Sequence, residues 1–594
     1  MMTNDIDAAL RAIDQVSGSA ALFRTLDEAG RRAVASEVSW VQVAGGECLF
    51  KAGDVGDALF VVITGRLQAI VEVPGAVPLV VGDIACGEVV GEMALLTGDP
   101  RSLTVRAIRD TTLVKFSKQA FERVTERNPQ AMLAVTRRII ARLQQRNTGT
   151  RPPARVSTLA LVTAGGGDAH QRVAQRLASA LDPSGNTAVL TGATFDEATN
   201  GMDPLGASRW LDDQEREHAH TLYLADATST PWTARCIRQA DRALVVADGD
   251  TAPDEARIAA WTREMSLHDG MPPVELVLLH ASTATPRGTS AWIAVTSAIS
   301  HHHLCPSVAG EYERMARFLT GRAVGLVLGG GGARGFAHLG VIRAFREAGV
   351  PIDAVGGTSM GAIIGGQCAM DVAPADMLAL NRHHWIENNP LKDKTLPVVA
   401  LLSCRRLDAM VASMFGTVDI ADLWRRYFCV STDITNAELR VHRSGSLARA
   451  TRASMSLPGI AIPVYDNGAM LIDGGILNNL PADIMKTVGG GPVAAVNVTP
   501  DKDLAVTGPY PEAISGWSLL LQRQRVKLPG ILSIIMRTTL LASTRERKRV
   551  AEDIDLLMNP AVSQFGMFDW NDLEAIAQAG YDCARLALDR WHVA

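Results

Sequence analysis

The sequence of 594 residues lacks the features of an exported or membrane-spanning protein. Its first eight residues are acidic and contain no apolar core of the kind that a signal peptide needs. No run of about 18 uncharged apolar residues occurs, so no transmembrane helix is predicted. The eight cysteines form no Cys-x-x-Cys pair, which argues against a disulfide framework and against a zinc site. We therefore expect a cytoplasmic protein with reduced thiols and no bound metal.

An excess of positive charge is also absent. The formal net charge is −5, and no helix-turn-helix pattern follows the helical stretch that ends near residue 145. These two observations argue against a nucleic-acid partner. With 47% hydrophobic residues the chain can bury several cores, and its length fits three domains.

Two glycine-rich turns in the C-terminal half indicate a chemical function. An apolar strand at residues 324–328 runs into a turn that ends at Gly335, and a later strand ends in Gly357-Thr-Ser-Met-Gly361. Backbone N–H groups can converge on an anion where side chains are absent. A serine between two glycines at a sharp strand-to-helix turn is the usual position of an acyl-transfer nucleophile. The pattern predicts a serine hydrolase with Ser359 as its nucleophile.

A dinucleotide-binding loop is the main alternative, because Gly330, Gly332 and Gly335 have the spacing Gly-x-Gly-x-x-Gly. That fold places an acidic residue near the end of its second strand, where it binds a ribose hydroxyl. The only acid of the second strand here, Asp353, lies at the start of that strand. We therefore favour the hydrolase.

The order of three motifs resembles the signature of the patatin-like phospholipases: the glycine-rich turn with its arginine, then Gly-Thr-Ser-Met-Gly, then Asp473-Gly-Gly475. The resemblance implies a Ser–Asp dyad without histidine, in which Asp473 is the base for Ser359. It also implies that the glycine motif forms the oxyanion hole, with the residues Gly330, Gly331, Gly332, Arg334 and Gly335. His338 is expected to be a helix residue beside this loop, and His301 to His303 are expected at the surface.

The first 150 residues alternate short apolar segments with turns, which predicts a β-roll. A helical pattern follows over residues 117–145, with Ser117 as its N-cap. Between them, Gly91-Glu-Met-Ala-Leu-Leu96 and Pro100-Arg-Ser102 resemble the phosphate-binding cassette of cyclic-nucleotide-binding domains. In that cassette an acid accepts from the ribose and an arginine pairs with the cyclic phosphate. The implied binding residues are Gly91, Glu92, Ala94, Arg101 and Ser102.

The implied ligand is cAMP or cGMP, acting as a regulator. Leu103 departs from the small residue that is usual at its position. A β-roll that has kept its fold and lost its ligand therefore stays open as an alternative.

Strand-like and helical segments alternate between residues 155 and 315, which predicts a Rossmann-like domain with a parallel sheet. Trp210, Tyr223 to Asp226 and residues 231–241 resemble the corresponding region of the neuropathy target esterase branch of the patatin superfamily. The predicted fold class is multidomain α+β and α/β. The expected domains are a β-roll with a helix (1–150), the Rossmann-like domain (155–315), a patatin-like α/β hydrolase-type domain (320–500) and a helical extension (501–594).

We therefore predict a serine esterase of lysophospholipids or phospholipids that is regulated by a cyclic nucleotide and needs no catalytic cofactor. The alternatives are an acyltransferase or neutral-lipid lipase with the same acyl-serine, or a non-catalytic cyclic-nucleotide effector. A basic amphipathic stretch at residues 523–550 is a candidate for transient contact with the inner membrane face, the alternative being a helix packed on the catalytic domain. A homodimer through the 117–145 helix is implied by resemblance alone.

Overall fold

The structure, a computed structural model, describes residues 34–72, 79–84, 86–127, 158–165, 167–256, 258, 272–499 and 550–591. The chain divides into two compact units, one of residues 1–280 and 291–316 and one of residues 281–290 and 317–594. None of the helices in the described ranges combines the length and hydropathy that a bilayer span requires.

The first unit begins with a β-roll. Its elements are β1 (Ser39–Val43), β2 (Cys48–Phe50), β3 (Ala58–Thr64), β4 (Leu67–Val71), β5 (Leu79–Ile84), β6 (Val89–Val90), α1 (Glu92–Thr97), β7 (Thr104–Ala107), β8 (Thr111–Ser117) and α2 (Lys118–Arg127). They form two antiparallel sheets with the strand orders β1-β8-β3-β6 and β2-β7-β4-β5. Alternating apolar side chains such as Phe60, Leu67 and Leu113 meet in the core of the roll. The predicted β-roll is confirmed.

Ser117 is the N-cap of helix α2, as predicted, because its Oγ accepts a hydrogen bond of 3.2 Å from the N–H of Ala120. The described helix that follows ends at Arg127. The rest of the predicted 117–145 helix lies outside the described residues.

A parallel α/β sheet follows along the chain, as the alternating pattern predicted. Its elements are β9 (Thr158–Thr163), α3 (Ala169–Leu181), β10 (Thr187–Leu190), α4 (Gly192–Thr199), α5 (Pro204–Glu217), β11 (His220–Leu224), α6 (Pro231–Gln239), β12 (Arg242–Asp248), β13 (Val274–Leu279), α7 (Thr289–Thr296), β14 (Ser300–Leu304) and α8 (Glu311–Leu319). The six strands have the order β10-β11-β9-β12-β13-β14.

The three consecutive histidines do not lie at the surface as a group. They form the middle of strand β14, and His302 and His303 are buried. His302 Nε2 is 2.9 Å from Glu275 Oε2, and His303 Nδ1 is 2.9 Å from His280 Nε2. The surface prediction is wrong for these two residues, because partners on and beside strand β13 satisfy their ring nitrogens within the sheet.

The second unit is built on a mixed sheet. Its elements are β15 (Ala323–Leu328), α9 (Ala337–Glu347), β16 (Ala354–Gly357), α10 (Met360–Ala369), α11 (Pro374–Asn381), α12 (Arg405–Phe415), β17 (Arg426–Asp433), β18 (Glu438–His442), α13 (Leu447–Ser454), β19 (Val464–Asp466), β20 (Ala469–Asp473), α14 (Ala482–Gly489), β21 (Gly490–Val496), β22 (Leu556–Met558) and α15 (Leu573–Leu588). The order is β19-β20-β17-β16-β15-β21-β22, with β18 paired to β17. The predicted fold class is confirmed.

Strands β15 and β16 are parallel neighbours, and Leu328 pairs with Gly357 at their carboxyl ends. The glycine-rich turn and the serine turn therefore leave the sheet side by side, at the edge where α/β sheets usually bind ligands. Helix α15 crosses α9 closely, since a Cβ at Gly340 would lie 1.8 Å from Ala577 O. Except for Val550, the basic stretch at residues 523–550 lies outside the described residues.

Candidate active site

Ser359 lies in a strained turn between strand β16 and helix α10. Its backbone has φ 56° and ψ −121°, in a region that a residue with a side chain rarely adopts. A Cβ at Gly357 would lie 2.4 Å from Gly361 O, and one at Gly361 would lie 2.0 Å from Leu328 O. Both glycines of the motif are therefore required by the tight approach of the backbone. This geometry is that of a nucleophile elbow.

A second serine holds the elbow in place. The N–H of Ser359 donates to Ser454 Oγ at 2.9 Å, and Ser454 is fully buried at the end of helix α13. The neighbouring Thr358 Oγ1 donates to Asn478 O at 3.2 Å. No motif in the sequence pointed to Ser454, because its role depends on a contact between segments 95 residues apart.

Asp473 ends strand β20 and is brought beside Ser359. Its Oδ1 accepts from the N–H of Gly475 at 2.8 Å, and its Oδ2 is buried without a well-formed hydrogen bond to the described residues. Burial raises the pKa of Asp473 to about 6, although the Gly475 N–H and the Ser359 hydroxyl partly offset this increase. One carboxylate oxygen is thus held by the backbone, and the other is available to the serine. A loose serine–base contact is common in unliganded hydrolases.

The glycine-rich turn approaches the serine closely. A Cβ at Gly330 would lie 3.0 Å from Ser359 Cβ. The N–H of Gly330 donates to Asn479 Oδ1 at 3.1 Å, and Asn479 Nδ2 donates to Gly330 O at 3.1 Å. The N–H groups of Gly331 and Gly332 make no hydrogen bond within the described part of the chain. The N–H of Met360, the residue after Ser359, likewise makes no hydrogen bond to the described residues. These three N–H groups are the candidate donors to a negative charge that develops beside Ser359.

Arg334 and Gly335 fix the end of the glycine-rich turn through contacts with neighbouring segments. Arg334 is buried, and its Nε donates to Phe565 O at 2.7 Å, which ties the turn to the segment before helix α15. A Cβ at Gly335 would lie 2.5 Å from Met360 Cγ, so a larger residue would displace the start of helix α10. These contacts indicate that both residues position the loop.

His338 lies on helix α9 beside the loop, as predicted. It is fully buried, and its Nε2 is 2.8 Å from Gly329 O. Burial lowers the pKa of His338 to about 4, so the ring is neutral at physiological pH. Its contact with the main chain of the loop indicates a supporting role.

An apolar cavity of about 50 Å³ adjoins Ser359. The indole rings of Trp385 and Trp570 stack in its wall at 4.3 Å. Its other walls include the side chains of Leu402, Met455, Leu457 and Ile460. Such walls suit a hydrocarbon chain and offer few polar contacts to a sugar or a peptide.

The structure also brings the two sequence segments of the nucleotide cassette, around Gly91 and around Arg101, into contact. Gly91 is the N-cap of helix α1 with φ 86°, and a Cβ there would lie 2.4 Å from Arg101 Nη1. Arg101 is buried and donates to Gly91 O at 2.8 Å and to Ala58 O at 2.7 Å. Burial lowers the pKa of Arg101. Glu92 is buried nearby, whereas Ser102 is exposed.

Phe50, Leu103 and Gly56 pack beside residues of the cassette or next to them in sequence. The Arg101 guanidinium lies 4.3 Å from the centre of the Phe50 ring. Leu103 packs against the core of the β-roll, so its bulk is accommodated there. Ala94 is buried, and a Cβ at Gly56 would lie 2.3 Å from the Cβ of Ala94.

Comparison with protein families finds three matches in chain order. A cyclic nucleotide-binding domain matches residues 40–128, a neuropathy target esterase family P-loop-like domain matches residues 155–321, and a patatin-like phospholipase domain matches residues 326–486. The last match contains Ser359, Asp473 and the glycine-rich turn.

Curated relatives cover nearly the whole chain. Patatin-like phospholipase domain-containing protein 7 of Mus musculus is 31% identical over 93% of this chain and 45% of its own length. Patatin-like phospholipase domain-containing protein 6 of Homo sapiens is 32% identical over the same shares. Lysophospholipase nte1 of Emericella nidulans is 32% identical over 92% of this chain and 41% of its own length. The chain thus spans less than half the length of these relatives.

Proposed function

Since this chain belongs to the patatin-like phospholipases of the neuropathy target esterase type, we propose that it hydrolyses the fatty acyl ester of lysophospholipids, with phospholipids as the next candidates. The observation that carries the proposal is the strained Ser359 beside a buried Asp473 at the wall of an apolar cavity. A name among the relatives, lysophospholipase, supports the same substrate class.

The first step is acyl transfer to the serine. Ionised Asp473 accepts the proton of the Ser359 hydroxyl, and Oγ attacks the ester carbonyl carbon. The carbonyl oxygen becomes an oxyanion, to which the N–H groups of Gly331 and Gly332 donate. Gly330 is assigned a structural role, because Asn479 already binds its N–H. Of the five residues expected for the oxyanion hole, Gly331 and Gly332 are thus proposed as the donors, whereas Gly330, Arg334 and Gly335 position the turn.

The second step releases the fatty acid. As the ester C–O bond breaks, protonated Asp473 gives its proton to the departing alcohol, which is the deacylated glycerophosphoryl group when the substrate is a lysophospholipid. The carboxylate then takes a proton from a water molecule that attacks the acyl-serine, and it returns this proton to Ser359 Oγ as the fatty acid leaves. The part of the acyl chain next to the carbonyl carbon packs against the apolar walls of the cavity during both steps. These walls carry few groups that would bind a headgroup.

The cyclic-nucleotide cassette is assigned a regulatory role. A cyclic phosphate would replace the carbonyl oxygens of Gly91 and Ala58 as the partner of Arg101, because a charge-assisted bond to phosphate is the stronger one. Glu92 would accept from the ribose. Titration calorimetry with cAMP and cGMP tests this assignment: binding that Arg101→Leu abolishes supports it, and no heat with either nucleotide contradicts it.

Fatty-acid release from lysophosphatidylcholine tests the hydrolase itself. Release by the unaltered protein that disappears in Ser359→Ala supports the proposal. Equal release by both proteins contradicts the site, and transfer of the acyl group to an added glycerolipid would favour an acyltransferase. Each reaction is measured with and without nucleotide, so that a regulatory effect is seen in the same experiment.

A further inference from the structure

A narrow loop beside the active site exposes a cluster of large apolar side chains. The loop covers residues 394–402 and is called the apolar loop below. The N–H of Thr395 donates to Leu401 O at 3.0 Å, and the N–H of Ser403 donates to Asp393 O at 2.8 Å. Lys394 and Leu402 form a β-bridge across its base. These bonds give the loop a defined shape that projects its tip away from the base.

The tip of the loop is apolar and exposed. Leu396 is 79% exposed, Val398 82% and Val399 60%. Pro397 between them is also exposed, so the apolar residues are contiguous. Aliphatic side chains in water cost free energy, and contiguous exposed groups of them usually mark a binding surface.

The apolar loop continues into the active-site cavity. Leu402, at its base, is buried and forms part of the cavity wall together with Leu391 and Ser359. Phe568 also contributes to this wall and is 44% exposed. The base of the loop therefore belongs to the wall beside the nucleophile, and an exposed aromatic ring lies in the same wall.

Basic residues flank the same loop. Lys392, Lys394, Arg405 and Arg406 are exposed on the chain segments that enter and leave it. The acid among them, Asp393, accepts hydrogen bonds from backbone N–H groups, including that of Arg406 at 3.1 Å. The local charge is therefore positive on a chain whose formal net charge is −5. Positive charge around an apolar tip matches a surface with hydrocarbon below anionic phosphates.

We propose that the apolar loop is the site at which the protein docks on an anionic lipid surface, with Leu396, Val398 and Val399 entering the hydrocarbon. Lys392, Lys394, Arg405 and Arg406 contact the headgroup phosphates. An acyl chain then passes along Leu391 and Leu402 to Ser359 without crossing water. This inference rests on the proposed function for the last step only, because docking itself requires no catalysis.

Vesicle flotation of the full chain tests the docking. The protein carries Ser359→Ala throughout, so that no variant consumes the vesicles. The test variant combines Leu396→Ser, Val398→Ser and Val399→Ser. Its control combines Val55→Ser, Ile299→Ser and Leu586→Ser, which alter residues that are 83%, 66% and 66% exposed elsewhere.

We expect the test variant to lose about tenfold in partition onto vesicles of phosphatidylcholine with phosphatidylglycerol, since the loss of three inserted aliphatic groups weakens partition. The control variant should bind as the parent does. Lys392→Glu with Lys394→Glu should remove the preference for vesicles that contain phosphatidylglycerol. Equal binding by the test variant and the parent would overturn the proposal. A change of oligomeric state in the test variant without lipid would also overturn it, because the loop would then be a protein interface.

An activity comparison separates this inference from the proposed function. With Ser359 restored, the three loop substitutions should leave hydrolysis of a soluble short-chain ester unchanged and slow hydrolysis of lysophospholipid in vesicles by about tenfold. An equal loss on both substrates would mean that the loop supports the site structurally, which contradicts docking. If the unaltered protein hydrolyses neither ester, the proposed function fails, whereas flotation still decides whether the loop docks.

Discussion

The side-chain amide of Asn479 forms hydrogen bonds with both the backbone N–H and the backbone carbonyl oxygen of Gly330. Its Oδ1 accepts from the N–H and its Nδ2 donates to the carbonyl oxygen, each at 3.1 Å. Asn479 Nδ2 also donates to Thr499 Oγ1 at 3.0 Å. A single amide therefore positions the glycine-rich turn relative to the segment that follows Asp473.

Replacing Asn479 should weaken catalysis without removing substrate binding. We expect Asn479→Ala to lower kcat about 100-fold with little change in KM, because a small displacement of the oxyanion donors is costly. Asn479→Asp is the matched variant: it still accepts from Gly330 N–H but cannot donate to Gly330 O. Its kcat should lie between those of the other two proteins. Steady-state kinetics that show an unchanged kcat for Asn479→Ala would contradict the positioning role.

The pH dependence of hydrolysis should report Asp473. The carboxylate must be ionised to accept the serine proton, and burial raises its pKa to about 6. We therefore expect kcat/KM to fall as the pH is lowered through about 6. His338→Gln should keep this midpoint, because burial already lowers the pKa of His338 to about 4. A midpoint that moves in His338→Gln would indicate that the histidine takes part in proton transfer.

The same buried carboxyl should reduce stability at neutral pH. A pKa that is raised on folding means that the protonated form is favoured in the folded state, and this stabilisation is lost as the pH rises through about 6. The shift from 3.8 corresponds to about 3 kcal/mol for a group that stays buried. Asp473→Asn should therefore be inactive but more stable than the parent at pH 7. At pH 4 the two should unfold alike, and a variant that is less stable at both pH values would contradict this account.

A buried ion pair joins the β-roll to the parallel sheet in the first unit. Arg109, on the turn before strand β8, pairs with Glu215 and with Asp241, the latter at 3.3 Å, and its side chain is only 6% exposed. Removing one partner of such a pair typically costs about 3 to 5 kcal/mol. We expect Arg109→Met to lower the free energy of unfolding by that amount.

The exposed pair of Arg172 with Asp168 provides the control for this prediction. Arg172→Met should change the free energy of unfolding by less than about 1 kcal/mol, since water screens the pair. Urea titrations of both variants give the comparison. Equal small losses would show that the Arg109 pair contributes little to holding the β-roll on the sheet.

Local sequence patterns predicted most of the described helices and strands, and they also predicted the candidate catalytic residues Ser359 and Asp473. Strands β3, β9 and β12 were recognisable because apolar residues are punctuated by glycine and charged turns. Ser359 and Asp473 lie in short motifs, so their neighbours in sequence are also their neighbours in space. The structure brings both residues together at the ends of strands β16 and β20, which lie on either side of β17.

Residues whose roles depend on distant contacts were not predictable. Asn479 lies 149 residues from Gly330, and Ser454 lies 95 residues from Ser359. His302 and His303 were misplaced because a polar run hides the strand pattern, and only the pairing with Glu275 and His280 explains their burial. The exposure of the apolar loop could not be predicted either, because the sequence does not distinguish exposed Leu401 from buried Leu402.

Covalent labelling with a fluorophosphonate tests the Ser–Asp dyad most directly, because this reagent reacts with an activated serine whatever the natural substrate is. Intact mass and peptide mapping should find one adduct, on Ser359, in the unaltered protein and none in Ser359→Ala. Asp473→Asn should react at least about 100 times more slowly, since its serine has no base. Labelling of another residue, or equal rates for the parent and Asp473→Asn, would contradict the account.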